Sequence, residues 1–206
     1  MKAILASTHP LYCTLISEGK KTIEVRKTRP KLEVPFKVYI YCTRPYTGST
    51  DDRFYIYLPP HDTPKQVNGT VIGEFVCDAI RVYGYDEHIG YPTPAYEGDP
   101  SFLDCGPGYW ITCGELKDTC LSKEEFEAYG NKKTLYGWHI TDLVIYDKPR
   151  GLWQFHLPCN HKDDCLTCKH FEYFLDYNEG HCLLITKGLK RPPQSWCYVN
   201  ELTNDT

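Results

Sequence analysis

The stretch EGKKTIEVRK, residues 18–27, decides how the rest of the chain is read. Six of its ten residues are charged, yet Ile23 and Val25 alternate strictly with Thr22, Glu24 and Arg26. Alternation of this kind marks a strand with two chemically different faces. Thr22, Glu24 and Arg26 share one face, at about 6.5–7 Å per two-residue step. Such a face is either solvated or lines a cleft. If it is solvated, a Glu24–Arg26 pair contributes only about 0–1 kcal/mol. If it lines a cleft, Arg26 can fork onto a phosphate or carboxylate, or hold Glu24 ionised. Lys21 then reaches in from the start of the strand. A lysine beside a second cation and partly desolvated loses basicity and becomes a nucleophile or base.

The flanks supply a structural setting. KAILAS (2–7) reads as a short buried strand. HPLYCTLISEG (9–19) reads as a helix, with Pro10 at its first position, Leu11/Leu15 and Tyr12/Ile16 at helical spacing, and Gly19 placed to end it. PFKVYIYCT (35–43) alternates again, with Phe36, Val38, Ile40 and Cys42 on one face. The segment 69–85 is the most convincing long strand, and 136–149 reads as another. CLSKEEFEAYG (120–130) carries a helix start in which Ser122 and Glu125 form a capping box. Leu121 and Phe126 are spaced for a hydrophobic staple, and Gly130 is available to close the helix. Two Gly/Pro-punctuated stretches, 44–69 and 86–118, read as excursions. The order strand, helix, strands, helix, strand predicts an α+β fold on a curved or closed antiparallel sheet.

The chain has 206 residues, a net charge of -4, 17 Tyr and 8 Phe. No apolar run approaches the length of a membrane span, and the opening MKAILASTHP is too short for a secretory leader. A cytoplasmic protein without membrane contact is expected. Eleven cysteines without an export signal favour reduced thiols or metal ligands over a disulfide framework. The charge is uneven. Residues 20–44 carry eight basic and two acidic side chains, +6, against -10 for the remainder. A basic strip on an acidic chain suits a localised anionic ligand or is simply a solvated loop.

Taken together, HPLYCTLISEGKKTIEVRK, VIGEFVCDAI and YGWHITDLVIYDKP resemble an ASCH domain, a branch of the PUA-like β-barrel group. The family pattern is a short helix followed by Gly-x-Lys-x-x-Glu-x-Arg entering a strand, met here by Gly19, Lys21, Glu24 and Arg26. The resemblance spans about residues 1–149, and RPPQSWCYV resembles the ending of bacterial and phage ASCH proteins. It implies a PUA-like curved or closed barrel over 1–157, with insertions at 44–69 and 86–118; the Cys-rich, zinc-knuckle-like extension and closing segment over 158–206 hold a stretch outside the core family pattern. It also implies RNA or modified-nucleotide binding. One bacterial branch of the family is an amidohydrolase that removes the acetyl group from N-acetylated cytidine, using a Lys and a Thr of this motif and a more distant Glu. Lys21 matches the Lys. Glu24 stands where that branch has Thr, and Thr22 is a motif Thr at another position. Glu74, Glu115 and Glu125 are candidates for the distant carboxylate.

The resulting site reading has Lys21, Glu24 and Thr22 as catalytic candidates, and Arg26, Lys20, Trp138, Trp196 and Tyr12 as ligand-binding candidates. Glu24 suits the amino edge of a cytosine-like base, and the aromatics, with Tyr39 and Tyr41, suit stacking. His139 reads as a satisfied surface or core side chain. A third reading is a phage-type protein-interaction factor that contacts a partner through its excursions and tail.

In the tail, PCNHKDDCLTCKHF and EGHCLL place Cys159, Cys165, Cys168 and Cys182 in a Cys-x5-Cys-x2-Cys-x13-Cys pattern. The central Cys-x2-Cys allows two thiolates to meet one tetrahedral ion. A structural zinc there would supply folding energy that a small core lacks. Free thiols are the other reading. Cys105, Cys113 and Cys120 form a looser second group.

Overall fold

The computed structural model describes residues 2–44, 67–85, 108–159, 171–174, 179–182 and 187–202. Its strands are β1 (Lys2–Thr8), β2 (Ile23–Arg26), β3 (Phe36–Cys42), β4 (Val71–Tyr83), β5 (Leu135–Arg150), β6 (Phe171–Phe174), β7 (Glu179–Cys182) and β8 (Trp196–Asn200). The helices are α1 (Pro10–Ser17), α2 (Cys113–Thr119) and α3 (Lys123–Gly130). Six strands form one sheet in the order β2-β5-β4-β3-β1-β8, and β6 pairs with β7 in a separate ladder. The α+β class is as expected. Among the described residues the large ladder ends at β2 and β8 without closing into a barrel.

The sheet is mixed rather than antiparallel throughout, because β1 and β3 run parallel, with Ile4 opposite Val38 and Thr8 opposite Cys42. Parallel neighbours need a crossover connection, and here α1 and β2 lie in the chain between them. On its other edge β1 pairs antiparallel with β8, Lys2 opposite Asn200 and Ala6 opposite Trp196.

The chain divides into two compact units. The first comprises 1–10, 37–74 and 144–206, and the second 11–36 and 75–143. Strands β4 and β5 each contribute residues to both.

In the first unit, Ala3 and Leu5 of β1, Tyr39 and Tyr41 of β3, Val71, Phe155 and Val199 form one buried cluster. The alternation in β3 predicts one apolar face, but every residue from Val38 to Cys42 is buried. A central strand covered on both faces places its tyrosines inside as well. Tyr39 meets Phe155 edge-on at 4.9 Å, and its hydroxyl accepts the Leu202 amide at 2.8 Å. That bond satisfies the one polar atom such a core residue carries. Gly73 is required by close packing: a Cβ there would lie 2.3 Å from the Val144 carbonyl oxygen and 3.1 Å from the Ile145 Cα.

In the second unit, Ile23 and Val25 of β2 pack with Tyr83, Tyr109, Ile111, Phe126 and Leu135. Phe126 belongs to α3, whose capping box forms as predicted: the Ser122 hydroxyl accepts the Glu125 amide and the Glu125 carboxylate accepts the Ser122 amide. The helix is closed by Asn131 in the left-handed conformation, not by Gly130. Gly130 instead allows close approach, since a Cβ there would lie 1.9 Å from the Tyr109 hydroxyl. Helix α1 also differs in detail. Its buried side chains are Pro10, Cys13 and Ile16, while Leu11 is exposed.

Helix α2 lies at the end of a stretch read as an excursion. Thr112 and Glu115 form a second capping box, the same signal that marked α3. Residues 45–66 and 86–107, the bulk of the two excursions, lie outside the described residues.

Gly73→Ala tests the β4–β5 packing in the first unit. Overpacking against backbone is expected to cost about 1–3 kcal/mol, read as a lower urea midpoint with an unchanged m-value; an unshifted midpoint contradicts it.

Candidate functional site

All four residues of β2 are buried, including the two charged ones. The strand therefore does not carry a solvated face. Its apolar side enters the core of the second unit, and its polar side forms an ionic trio.

The geometry is set by the way α1 ends. Gly19 takes a left-handed conformation, φ 68°, which glycine adopts without steric penalty. The amide of Gly19 then bonds the Ile16 carbonyl, and the amides of Lys20 and Lys21 both bond the Leu15 carbonyl. This hooks the chain back under α1 and delivers Lys21 at the start of β2. On the far side the segment meets the end of α2. The Thr22 amide bonds the Asp118 carbonyl at 3.0 Å, and the Lys21 ammonium donates to the Thr119 carbonyl at 2.5 Å. Thr119 is the last residue of α2, so the ammonium sits at the negative end of that helix. β2 itself pairs antiparallel with β5, placing Glu24 opposite Trp138 and Arg26 opposite Tyr136.

Glu24 lies between two cations. Its Oε1 is 2.8 Å from an Arg26 guanidinium nitrogen, and its Oε2 is 3.6 Å from Lys21 Nζ. Exposure is 2% for Lys21 and 6% for Glu24 and Arg26. Burying three charges is costly, and what sustains the trio is mutual pairing with further hydrogen bonds. Two basic side chains and one carboxylate thus share a desolvated place. Burial lowers the Lys21 pKa, and the Glu24 carboxylate only partly offsets it.

Two tyrosines flank the trio. Lys21 Nζ lies 5.0 Å from the centre of the half-buried Tyr12 ring of α1. Burial raises the Tyr12 pKa, and Glu125 and Glu24 raise it further. Tyr129 of α3 is 36% exposed, and Lys27 Nζ lies 4.8 Å from its ring centre. Burial raises the Tyr129 pKa, against the opposing pull of Arg26.

The structure thus brings together Lys21, Glu24, Arg26 and Tyr12 of the expected site. Thr22 follows Lys21, half-buried, its backbone engaged on both sides by Asp118 and Ile140. Lys20 faces outward and pairs with Glu18 at 2.7 Å. Trp138 is fully buried, meeting Phe36 edge-on at 6.0 Å. Trp196 belongs to the first unit, where its ring packs edge-on against Tyr198. His139 is half-buried and bonded to Asp78 at 2.7 Å, as a satisfied surface histidine. Tyr129 was not singled out in the sequence, and only the i,i+3 step from Phe126 to Tyr129 hinted that α3 presents an aromatic beside its buried one.

The three candidate distant carboxylates have other partners. Glu115 and Glu125 cap helices. Glu74, in the first unit, pairs with Lys37 at 2.8 Å and accepts the Tyr146 hydroxyl.

Of the expected zinc ligands, Cys165 and Cys168 lie outside the described residues, Cys159 is half-buried, and Cys182 lies in β7 opposite Phe171. Among the described residues no three His, Cys, Asp or Glu side chains gather as a metal cage. No described helix is long and apolar enough to cross a membrane.

No protein-family model matches the chain, and no curated protein matches it. Among solved structures the chain is similar to an ASCH protein from Zymomonas mobilis, at 18% identity and TM-score 0.44, covering 73% of each chain. A single-residue variant of that protein gives 18% identity and TM-score 0.45, covering 74% of this chain and 77% of that one.

Two measurements test the trio. Glu24→Gln leaves two buried cations without their carboxylate and is expected to cost about 3–5 kcal/mol in urea unfolding. A loss below about 1 kcal/mol contradicts a desolvated trio. The second is pH dependence. The folded-state pKa of Lys21 is depressed. Between that value and the ordinary one near about 10.4, the unfolded chain binds more protons than the folded one. The stability of wild type relative to Lys21→Met therefore rises with pH through that window. A difference that stays flat or falls over the window contradicts the desolvated amine.

Proposed function

We propose that this protein binds a nucleotide or an RNA segment at Lys21, Glu24 and Arg26. One observation carries the reading: two basic side chains and one carboxylate are buried together at the start of β2. A phosphate fits the planar fork of Arg26. Glu24 accepts from the exocyclic amino group of a base such as cytosine. Tyr12, half-buried beside Lys21, supplies a ring for stacking. The sequence resemblance of GKKTIEVRK to the ASCH motif points the same way.

A second reading rests on the depressed basicity of Lys21. With its basicity lowered, the Lys21 amine takes a proton from water as the water attacks an acyl carbon, and returns it to the leaving nitrogen as the C–N bond breaks. This is an amidohydrolase acting on an acylated cytidine. Glu24, in place of a threonine, favours the binding reading because its carboxylate is already engaged by Arg26.

Titration of the protein with cytidine 5′-monophosphate and a labelled RNA oligonucleotide tests the first reading. Arg26→Lys keeps the charge and loses the fork. A charged hydrogen bond is worth about 1.5–3 kcal/mol, so affinity is expected to fall by about ten- to a hundredfold. Unchanged affinity, with the fold intact by urea midpoint, rejects the assignment. For the second reading, wild type is expected to release acetate from N-acetylcytidine and Lys21→Met is not; no release by wild type rejects it.

A further inference from the structure

The basic stretch does not end with the buried trio. Arg26 is the last residue of β2, and the chain continues as Lys27, Thr28 and Arg29, all exposed, before Pro30 is buried again. Lys31 is exposed as well. The short loop is therefore pinned at Arg26 and at Pro30 and carries its cations outward. Tyr129 of α3 lies over its beginning. The ring carries the Lys27 ammonium at 4.8 Å, and the phenol oxygen bonds the Lys27 backbone amide. Positive charge thus runs continuously from a desolvated guanidinium to a solvated loop, with a part-exposed ring at the junction.

We infer that Lys27, Arg29 and Tyr129 form a second subsite, which takes the phosphodiester backbone and adjoining base of a single nucleic-acid strand leading out of the trio. The inference rests on the nucleotide reading above and narrows it from a nucleotide or RNA segment to a single strand. A mononucleotide has no further phosphate for Lys27 and Arg29 to meet. An acidic peptide would use the cations but has no planar base for Tyr129. The interleaving of cation and ring is the chemistry of single-strand binding, in which backbone charge is neutralised and bases stack on aromatics. The chain outside 20–44 carries -10, which disfavours a polyanion elsewhere.

The test compares wild type, Lys27→Ser/Arg29→Ser, and a control with the exposed Lys148 and Lys190 replaced by Ser. Each is titrated with cytidine 5′-monophosphate and with a labelled eight-nucleotide RNA over a range of salt. For single strands, log affinity falls with log salt by about 0.7 per neutralised phosphate. The loop variant is expected to lose about 1.4 from that slope and at least tenfold in RNA affinity at low salt. Its mononucleotide affinity is expected to match wild type, and the control is expected to match wild type throughout. An unchanged RNA slope in a variant that still binds mononucleotide overturns the subsite and leaves the trio standing. Equal loss of mononucleotide affinity overturns it too, since the loop then belongs to the first site. Competition by poly-glutamate as strong as by RNA assigns the strip to acidic peptides instead. Wild type binding neither probe rejects the nucleotide reading itself.

Discussion

Glu24 held between Arg26 and Lys21 is the constraint on which the second unit turns. Three charges inside a folded chain are tolerable only if each is paired and its remaining hydrogen-bonding capacity is met. The local structure meets part of that demand in sequence. Gly19 reverses the chain after α1, Leu15 takes two amides, and the end of α2 offers the Thr119 carbonyl to the Lys21 ammonium. Ile23 and Val25 meanwhile anchor the other face of β2 among Tyr83, Phe126 and Leu135. The same four-residue strand is thus fixed by packing on one side and by charge on the other.

This arrangement does not by itself stabilise the fold more than an apolar trio of similar volume would. Buried ion pairs are weak evidence for stability, and replacement by well-packed apolar residues is often neutral or favourable. Two basic side chains and one carboxylate in a desolvated place, beside two tyrosines, are what the proposed nucleotide would use. The first unit shows the contrast. Its core is apolar and aromatic, and its ion pairs Lys37–Glu74 and Lys37–Glu201 remain partly exposed.

Much of this was legible in the residues, and the limits have physical causes. Alternation located β2, β3, β4 and β5, and the capping box of Ser122 and Glu125 located α3, because these signals are local. The identical box at Thr112 and Glu115 went unread because Gly and Pro residues just before it masked the short helix α2. Burial was less legible than secondary structure. Alternation cannot tell a strand covered on one face from one covered on both, and so Tyr39 and Tyr41 looked available for stacking when they are core. For the same reason the polar face of β2 had two readings until neighbours from α1, α2 and α3 were seen to cover it. Lys20 and Lys21 are adjacent in sequence and opposite in fate. Only the reversal at Gly19 decides which of them turns inward.

The most direct measurement of the central claim is a crystal structure of the protein grown with cytidine 5′-monophosphate. The account predicts the phosphate within hydrogen-bonding distance of Arg26, the base against Tyr12, and the Glu24 carboxylate on its amino edge. A nucleotide bound elsewhere, with Lys21, Glu24 and Arg26 paired as they are without it, would contradict the account.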